Sequence, residues 1–205
     1  MVFSSHLFVY YFLPAVLAVY YLLPGRARHL WLTAASYVFY GWANPAFTGL
    51  MLLSTVIDYV CGLKLGRPEG VGRRRFWVTL SIVSNLSLLG FFKYFNLAAD
   101  TWSALVGAFG LTGLQPDLAL RVVLPLGISF YTFQSMSYTI EIYRGHARPL
   151  ASFVDFACFV SMFPQLVAGP IIRFSEIADQ LSSRTHTFEK FARGVVFFSL
   201  GLAKK

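Results

Sequence analysis

Apolar residues along the chain come as long uncharged runs divided by short basic breaks, and the run lengths set the expected elements. The first run, Leu7 to Leu23, has no Lys or Arg before it and no A-x-A site after it, so it is expected as a retained span and not a cleaved leader. After Pro24-Gly25-Arg26-Ala27-Arg28 comes Leu30 to Ile57, 28 residues without a charge. One helix of that length would run about 42 Å at 1.5 Å per residue, against a hydrocarbon core of about 30 Å. Asn44-Pro45 supplies a break, because the residue before a proline is biased out of the α region, and divides the run into a short span to Ala43 and a second from Phe47 to Leu63. Two more spans are expected, Phe76 to about Phe95 and Val122 to about Ile142. They flank a stretch, Asn96 to Leu120, whose Gly-rich middle (Trp102 to Leu114) reads as an interfacial or half-buried helix.

Phe156 to Ile172 is uncharged and long enough to cross a bilayer, but Pro164, Gly169 and Pro170 cut it around Gln165-Leu166-Val167-Ala168. Backbone groups freed at membrane depth are tolerated only where protein or a water-filled cavity satisfies them. The segment near 156–172 is therefore expected to be broken or re-entrant, with a proline-kinked packed helix as the alternative. Crossing would leave Arg173, Arg184, Lys190 and Arg193 outside; re-entry would send Lys204 and Lys205 outward. Phe174, Ile177, Ala178 and Leu181 share one face, away from Glu176, Asp179 and Gln180, which suits an interfacial helix near 174–182. Thr187 caps a last helix through Ala203. The fold class is all-α: a polytopic helical membrane protein of about six to seven apolar helices, forming a single membrane domain over 1–205.

Composition agrees. Hydrophobic residues make up 57% of the chain and charged residues 13%, about half the charged share of an ordinary soluble domain, which excludes a water-soluble globule. The net charge of +8 would suggest nucleic acid in a soluble protein. Here the basic residues sit in the breaks, so no nucleic-acid partner is expected and the charges report topology. With the N-terminus outside, Arg26, Arg28, Lys64, Arg67, Arg73, Arg74, Arg75, Arg144 and Arg148 face the cytoplasm and only Arg121 is left outside, putting position 70 inside and position 117 outside. Cys61 and Cys158 lie in apolar runs and suggest neither a disulfide nor metal chemistry. Aromatic residues crowd the span ends as an interfacial belt; around Tyr40 and Trp42 a ligand cage is the alternative.

The candidate chemistry lies on one helix. Gly127, Tyr131, Gln134, Tyr138 and Glu141 fall on a single stripe at 100° per residue and should face the bundle interior or a polar passage. The stripe reads either as the wall of a substrate route or as interhelical hydrogen bonding, with Glu141 pairing to Arg144 one turn on. Asp58 is expected in a local ion pair with the basic loop beyond it. Asn85-Leu86-Ser87 matches a glycosylation sequon but lies inside a span. His6, His29, His146 and His186 sit at span ends or in loops, none at metal-ligand spacing and none as a buried base, so no catalytic residue and no metal is assigned. Asp179, Ser183 and His186 are a weak case for a triad. No phosphate loop or dinucleotide turn is present.

Pro125-Leu126-Gly127-Ile128-Ser129-Phe130-Tyr131-Thr132-Phe133-Gln134 and Met162-Phe163-Pro164-Gln165-Leu166-Val167-Ala168-Gly169-Pro170-Ile171-Ile172-Arg173-Phe174 resemble the membrane-bound O-acyltransferases, and within them the integral membrane subunit of bacterial alginate O-acetylation. Val2-Phe3-Ser4-Ser5, Ser36 to Trp42, Phe92-Lys93-Tyr94-Phe95-Asn96, Tyr143-Arg144-Gly145 and Gly201-Leu202-Ala203-Lys204-Lys205 extend the resemblance over almost the whole chain. Relatives that move D-alanine onto teichoic acids share several of these motifs. The resemblance implies a multi-pass enzyme of the bacterial inner membrane that takes acetyl groups from acetyl-CoA or another acyl thioester, none bound tightly. It passes them towards an exopolysaccharide such as alginate, or towards a periplasmic acetylase partner. Gln134, Tyr138, Gln165 and Arg173 would border the passage, with Gly127, Pro164, Gly169 and Pro170 shaping it. Family members are about twice as long and carry their catalytic histidine in the C-terminal half, so none of the histidines here inherits that role. An inactive N-terminal fragment is one expectation, a scaffold completed by a separate half another. A small transporter is a third, opposed by the absence of an inverted repeat.

Overall fold

The structure, a computed structural model, describes residues 3, 5–42, 44–68, 70–109, 121–166, 169, 172–182 and 184–204. Val2, Ser4, Ala43, positions 110–120 including 117, Val167, Ala168, Pro170, Ile171, Ser183 and Lys205 lie outside them.

A π-helical turn, Leu7–Phe12, runs straight into α1, Leu13–Leu22. Leu23 turns extended before Pro24, and α2 follows as Gly25–Gly41. The expected break at Asn44-Pro45 is present: Asn44 is extended and its side-chain oxygen accepts from the Ala46 N–H at 3.1 Å, opening α3, Pro45–Leu65. Helix α4 is Val71–Ala108, and α5 is Ile128–Arg144. Then come α6, Phe153–Ser161, the short α7, Phe163–Leu166, α8, Phe174–Ser182, and α9, Phe188–Ala203, whose Thr187 cap accepts from the Lys190 N–H at 3.2 Å. All regular elements among the described residues are helices, and α3 and α4 are the two long and apolar enough to cross a membrane.

Two boundaries differ from the sequence expectation. Helix α4 is one piece of 38 residues, about 57 Å at 1.5 Å per residue, in place of a span to Phe95 and a separate interfacial piece. Nothing between Phe95 and Ala108 stops a helix: there is no proline, and the one glycine, Gly107, stands at the last turn. Helix α5 begins at Ile128 and not at Val122. Gly127 holds φ +74°, left-handed, and Val122 is clamped instead by the Asn96 side chain, which donates to its carbonyl at 2.8 Å and accepts from its N–H at 3.0 Å. A polar residue just past the expected span end thereby carries the return of the chain.

Helices α3, α4 and α5 pack mutually, α6 lies along α2, and the main core gathers Met51, Tyr131, Tyr138, Phe156, Phe159 and Phe174. A second cluster joins the first helix to α2 and α7 through Phe8, Phe12, Phe39 and Phe163.

The segment cut by Pro164 and Gly169 folds back on itself. Helix α6 starts beside the start of α2, where His29 Nδ1 donates to Asp155 Oδ1 at 2.6 Å. It then descends until the Phe163 N–H meets Ser36 Oγ at 3.2 Å. Its deepest described contact is at Leu166, whose carbonyl would lie 2.7 Å from a Cβ on Gly127. The chain then returns: the Phe174 ring stands edge-on to Tyr138 with centroids 4.8 Å apart, and Ala178 borders the loop 145–151 from which α6 set out. Between Gly127 and Tyr138 α5 climbs about 16 Å, which is the depth of this hairpin.

Candidate functional site

A helix broken between Phe159 and Phe163 parts the Phe159 carbonyl from the Phe163 N–H, its i to i−4 partner in a continuous helix. Met162 makes that break, with ψ 110°. Both orphans are met by side chains from flanking helices. Gln134 on α5 donates its Nε2–H to the Phe159 carbonyl at 2.6 Å, and Ser36 on α2 accepts from the Phe163 N–H at 3.2 Å. All four residues are buried, in an interior where an unmade hydrogen bond costs about 1–3 kcal/mol. The expected stripe therefore faces protein, with Tyr131, Gln134, Tyr138 and Glu141 buried and Gly127 half-buried.

Tyr138 anchors the other end of the hairpin. Its hydroxyl accepts from the Leu150 N–H at 3.1 Å, and its ring lies 4.3 Å from that of Phe156. Gly62 on α3 makes room for it, since a Cβ there would overlap the Tyr138 ring. Above it opens a polar cleft of about 520 Å³ lined by the loop Gly145 to Ala151 with Phe174, Ser175 and Ala178.

The expected pairing of Glu141 with Arg144 is not made. Gly145, at φ +79°, ends α5 in a Schellman turn in which the His146 N–H reaches the Glu141 carbonyl at 3.0 Å and the Gly145 N–H reaches that of Ile142 at 3.1 Å. This reversal lays His146 back over the last turn, where its Nδ1 sits 3.2 Å from Glu141 Oε2, while Arg144 is exposed.

Asp58 likewise has no cationic partner among the described residues. It is fully buried on α3 and accepts from Ser81 Oγ at 2.6 Å, while Asn85 Nδ2 bridges both of its oxygens at 2.8 Å. Ser81 lies 2.9 Å from Thr139 Oγ1, so the cage ties α3, α4 and α5 together. Two of the basic residues nearby are engaged elsewhere: Lys64 over the Trp77 ring, and Arg74 on the carbonyls of Ile142 and Tyr143. Asn85, whose sequon is unusable inside a span, is the carboxylate's principal donor.

The remaining candidate positions are dispersed. Gln165 is half-buried in α7 and its carbonyl accepts from the Gly169 N–H at 3.0 Å; Pro164 is exposed on the same short helix. Arg173 is exposed ahead of α8 and gives its carbonyl to the Glu176 N–H at 3.1 Å. The structure thus joins Gln134 and Tyr138 on one face and sets Gln165 and Arg173 on the turn and return of the hairpin. Tyr40 and Trp42 do not form a cage: Tyr40 is buried edge-on to Tyr131, whereas Trp42 is 62% exposed. No group of three metal-ligating side chains occurs among the described residues. Sequence reading misses Ser36 and the Ser81, Asn85, Thr139 set. A signal for the latter exists, as polar pairs four apart inside apolar runs, Ser81 with Asn85 and Ser135 with Thr139.

Compared with known proteins, the chain is 46% identical along its whole length to a probable alginate O-acetylase of Azotobacter vinelandii and 45% identical to one of Pseudomonas aeruginosa. It is 32% identical to a peptidoglycan O-acetyltransferase of Helicobacter pylori. The chain covers 41%, 39% and 44% of these three, so it spans about two fifths of the length of the curated relatives it matches. No family model and no solved structure matches it.

Proposed function

From the premise that this chain is, along all 205 residues, a member of the membrane-bound O-acyltransferases matching the N-terminal part of the alginate O-acetylases, we propose that it builds the donor-side half of an acetyl-transfer passage through the bacterial inner membrane. The acetyl group comes from acetyl-CoA or another acyl thioester in the cytoplasm and leaves on the far side for an exopolysaccharide such as alginate, directly or through a periplasmic acetylase partner. The observation that carries this reading is the 41–46% identity, along the full chain, to five alginate O-acetylases, against 32% to the peptidoglycan enzyme.

In this reading the chain crosses the bilayer repeatedly, as six to seven apolar helices, and the hairpin of α6 to α8 enters and leaves by the cytoplasmic face. The hairpin's close approach to the loop 145–151, which carries Arg148, supports that placement by the positive-inside rule. Gln134 and Tyr138 are positioning residues that hold the hairpin from behind, and Gln165 and Arg173 supply its polar surface towards the passage. Pro164 and Gly169 shape its turn, and Gly127 admits the turn against α5. No residue of this chain is assigned the proton transfer, since none of the four histidines stands where the resemblance puts the catalytic one.

The test is a chimera in which this chain replaces the matching N-terminal part of an alginate O-acetylase, expressed in an alginate producer lacking its own. Acetyl groups on the secreted polymer, read by proton NMR, support the proposal, and peptidoglycan from the same cells should carry none. A chimera that reaches the membrane at normal level and leaves alginate bare would overturn it.

A further inference from the structure

Helix α9 has none of its side chains buried, and between it and the first helix runs an apolar groove of about 710 Å³. Leu13, Leu17, Ala18 and Tyr21 form one wall, and Phe191, Gly194, Val195 and Phe198 the other. From Tyr21 to Leu13 the groove follows α1 for about 12 Å. At the Tyr21 end it opens into a second cleft, of about 390 Å³, which shares Tyr21 and Phe191 and adds His186, Thr187 and Phe188.

That end is basic. The Arg28 guanidinium lies 5.4 Å over the Tyr20 ring, and the Tyr20 hydroxyl shares a 3.3 Å hydrogen bond with His186 Nε2. Lys190 Nζ donates to Thr185 Oγ1 at 2.6 Å, and Arg184 Nε to the Gln180 carbonyl at 3.1 Å. Partial desolvation, and then the charges of Arg28, Arg184 and Lys190, hold the His186 imidazole below its usual range. Among the described residues none of the three has a carboxylate within ion-pair distance. Two of the described acids nearby are engaged, Asp155 by His29 at 2.6 Å and Glu189 by Arg193 at 2.7 Å.

We propose that this groove is a binding site for one anionic phospholipid, its phosphate held by Arg28, Arg184 and Lys190 beside His186 and one acyl chain lying between α1 and α9. Charge complementarity selects the occupant: a zwitterionic lipid would bring its own cation to a site already holding three, whereas a phosphatidylglycerol phosphate brings only the missing charge. An apolar helix without carboxylates filling the same groove would leave the three cations unanswered. The site is separate from the hairpin and independent of which acyl group or acceptor the chain serves.

Native mass spectrometry of the purified chain, delipidated and exchanged against mixed phosphatidylglycerol and phosphatidylcholine, tests it. One phosphatidylglycerol should be retained in preference by about a hundredfold, the fold-change that roughly 1 kcal/mol for each of three basic residues near an anionic surface implies. Arg28→Gln, Arg184→Gln and Lys190→Gln together should remove that preference, and Arg193→Gln, whose cation is already paired, should keep it. Gly194→Trp should block the groove and lower retention of both lipids, with far-ultraviolet circular dichroism confirming that the helices persist. Equal retention of the two lipids by the unmodified chain, or a preference untouched by the triple variant, overturns the proposal. So does full competition by glycerophosphate, which carries the headgroup without the chain. A cysteine pair at Ala18 and Val195 that cross-links equally with and without phosphatidylglycerol would show the groove closed by protein and would overturn it too.

Discussion

A side chain's worth inside this bundle is set by what it leaves behind when removed. Asp58 accepts three hydrogen bonds from Ser81 and Asn85, so Asp58→Ala leaves the Ser81 hydroxyl only Thr139 Oγ1 and the Asn85 amide only the Ser81 carbonyl, and should cost about 1–3 kcal/mol. Thermal unfolding in detergent would register that as a lowered midpoint, and an unchanged midpoint would mean that water replaces the carboxylate. Asp58→Asn tests the chemistry separately: it keeps the shape but turns an acceptor into a donor facing the Asn85 donor, and should destabilise nearly as much. Gln134→Ala exposes the freed Phe159 carbonyl in the same way, but its effect should reach function. In the full-length chimera acetyl transfer should fall while the membrane level holds; transfer at the parent rate would leave Gln134 a packing residue only. Gln134 is legible from the sequence because an amide stripe on an apolar helix must face a partner. Asp58 is legible as unusual but not in its role, because its donors lie 23 and 27 residues away and no local spacing points to them.

At the scale of elements, the breaks are easier to read than the continuations. Asn44-Pro45 and the Pro164 to Gly169 region stop helices through backbone geometry alone, which a sequence displays. The unbroken run of α4 through Asn96 and Asp100 escapes the sequence pattern because polarity there resembles the end of an element, whereas helix continuation needs only the absence of breakers. The two left-handed glycines flanking α5 make a contrast that can be measured. Gly127→Ala incurs the left-handed penalty of roughly 1–2 kcal/mol and also drives a Cβ to 2.7 Å from the Leu166 carbonyl. Gly145 has nothing within 4 Å of such a Cβ, and Asn tolerates its conformation, so Gly145→Asn should be nearly neutral. Unfolding midpoints for the pair should separate clearly. Equal midpoints would remove the Gly127 to Leu166 approach as the reason the hairpin docks on α5.

For the whole molecule the sequence leaves open which side the chain reaches after residue 182, since crossing and re-entry put opposite sets of basic residues outside. The contacts that bear on it are long-range: His186 against Tyr20, beside Arg28, and Asp155 against His29, pairs separated by more than a hundred residues. They bring the start of α6, the end of α8 and the basic turn before α2 to one end of the bundle. If that end is cytoplasmic, as Arg28, Arg148, Arg184 and Lys190 together require by the positive-inside rule, then cysteines placed at Gly70 and Thr185 should both resist a membrane-impermeant maleimide applied to intact cells. A cysteine at Val123, exposed at the opposite end of α5, should react. The native thiols will not interfere, because Cys61 and Cys158 are each about 1% exposed. Labelling at Thr185 from outside, with Gly70 protected, would mean that the segment crosses the bilayer and that the Tyr20 to His186 contact does not form in the membrane. Protection at both would leave the hairpin as a wedge open to the cytoplasm, the side on which a thioester donor is found.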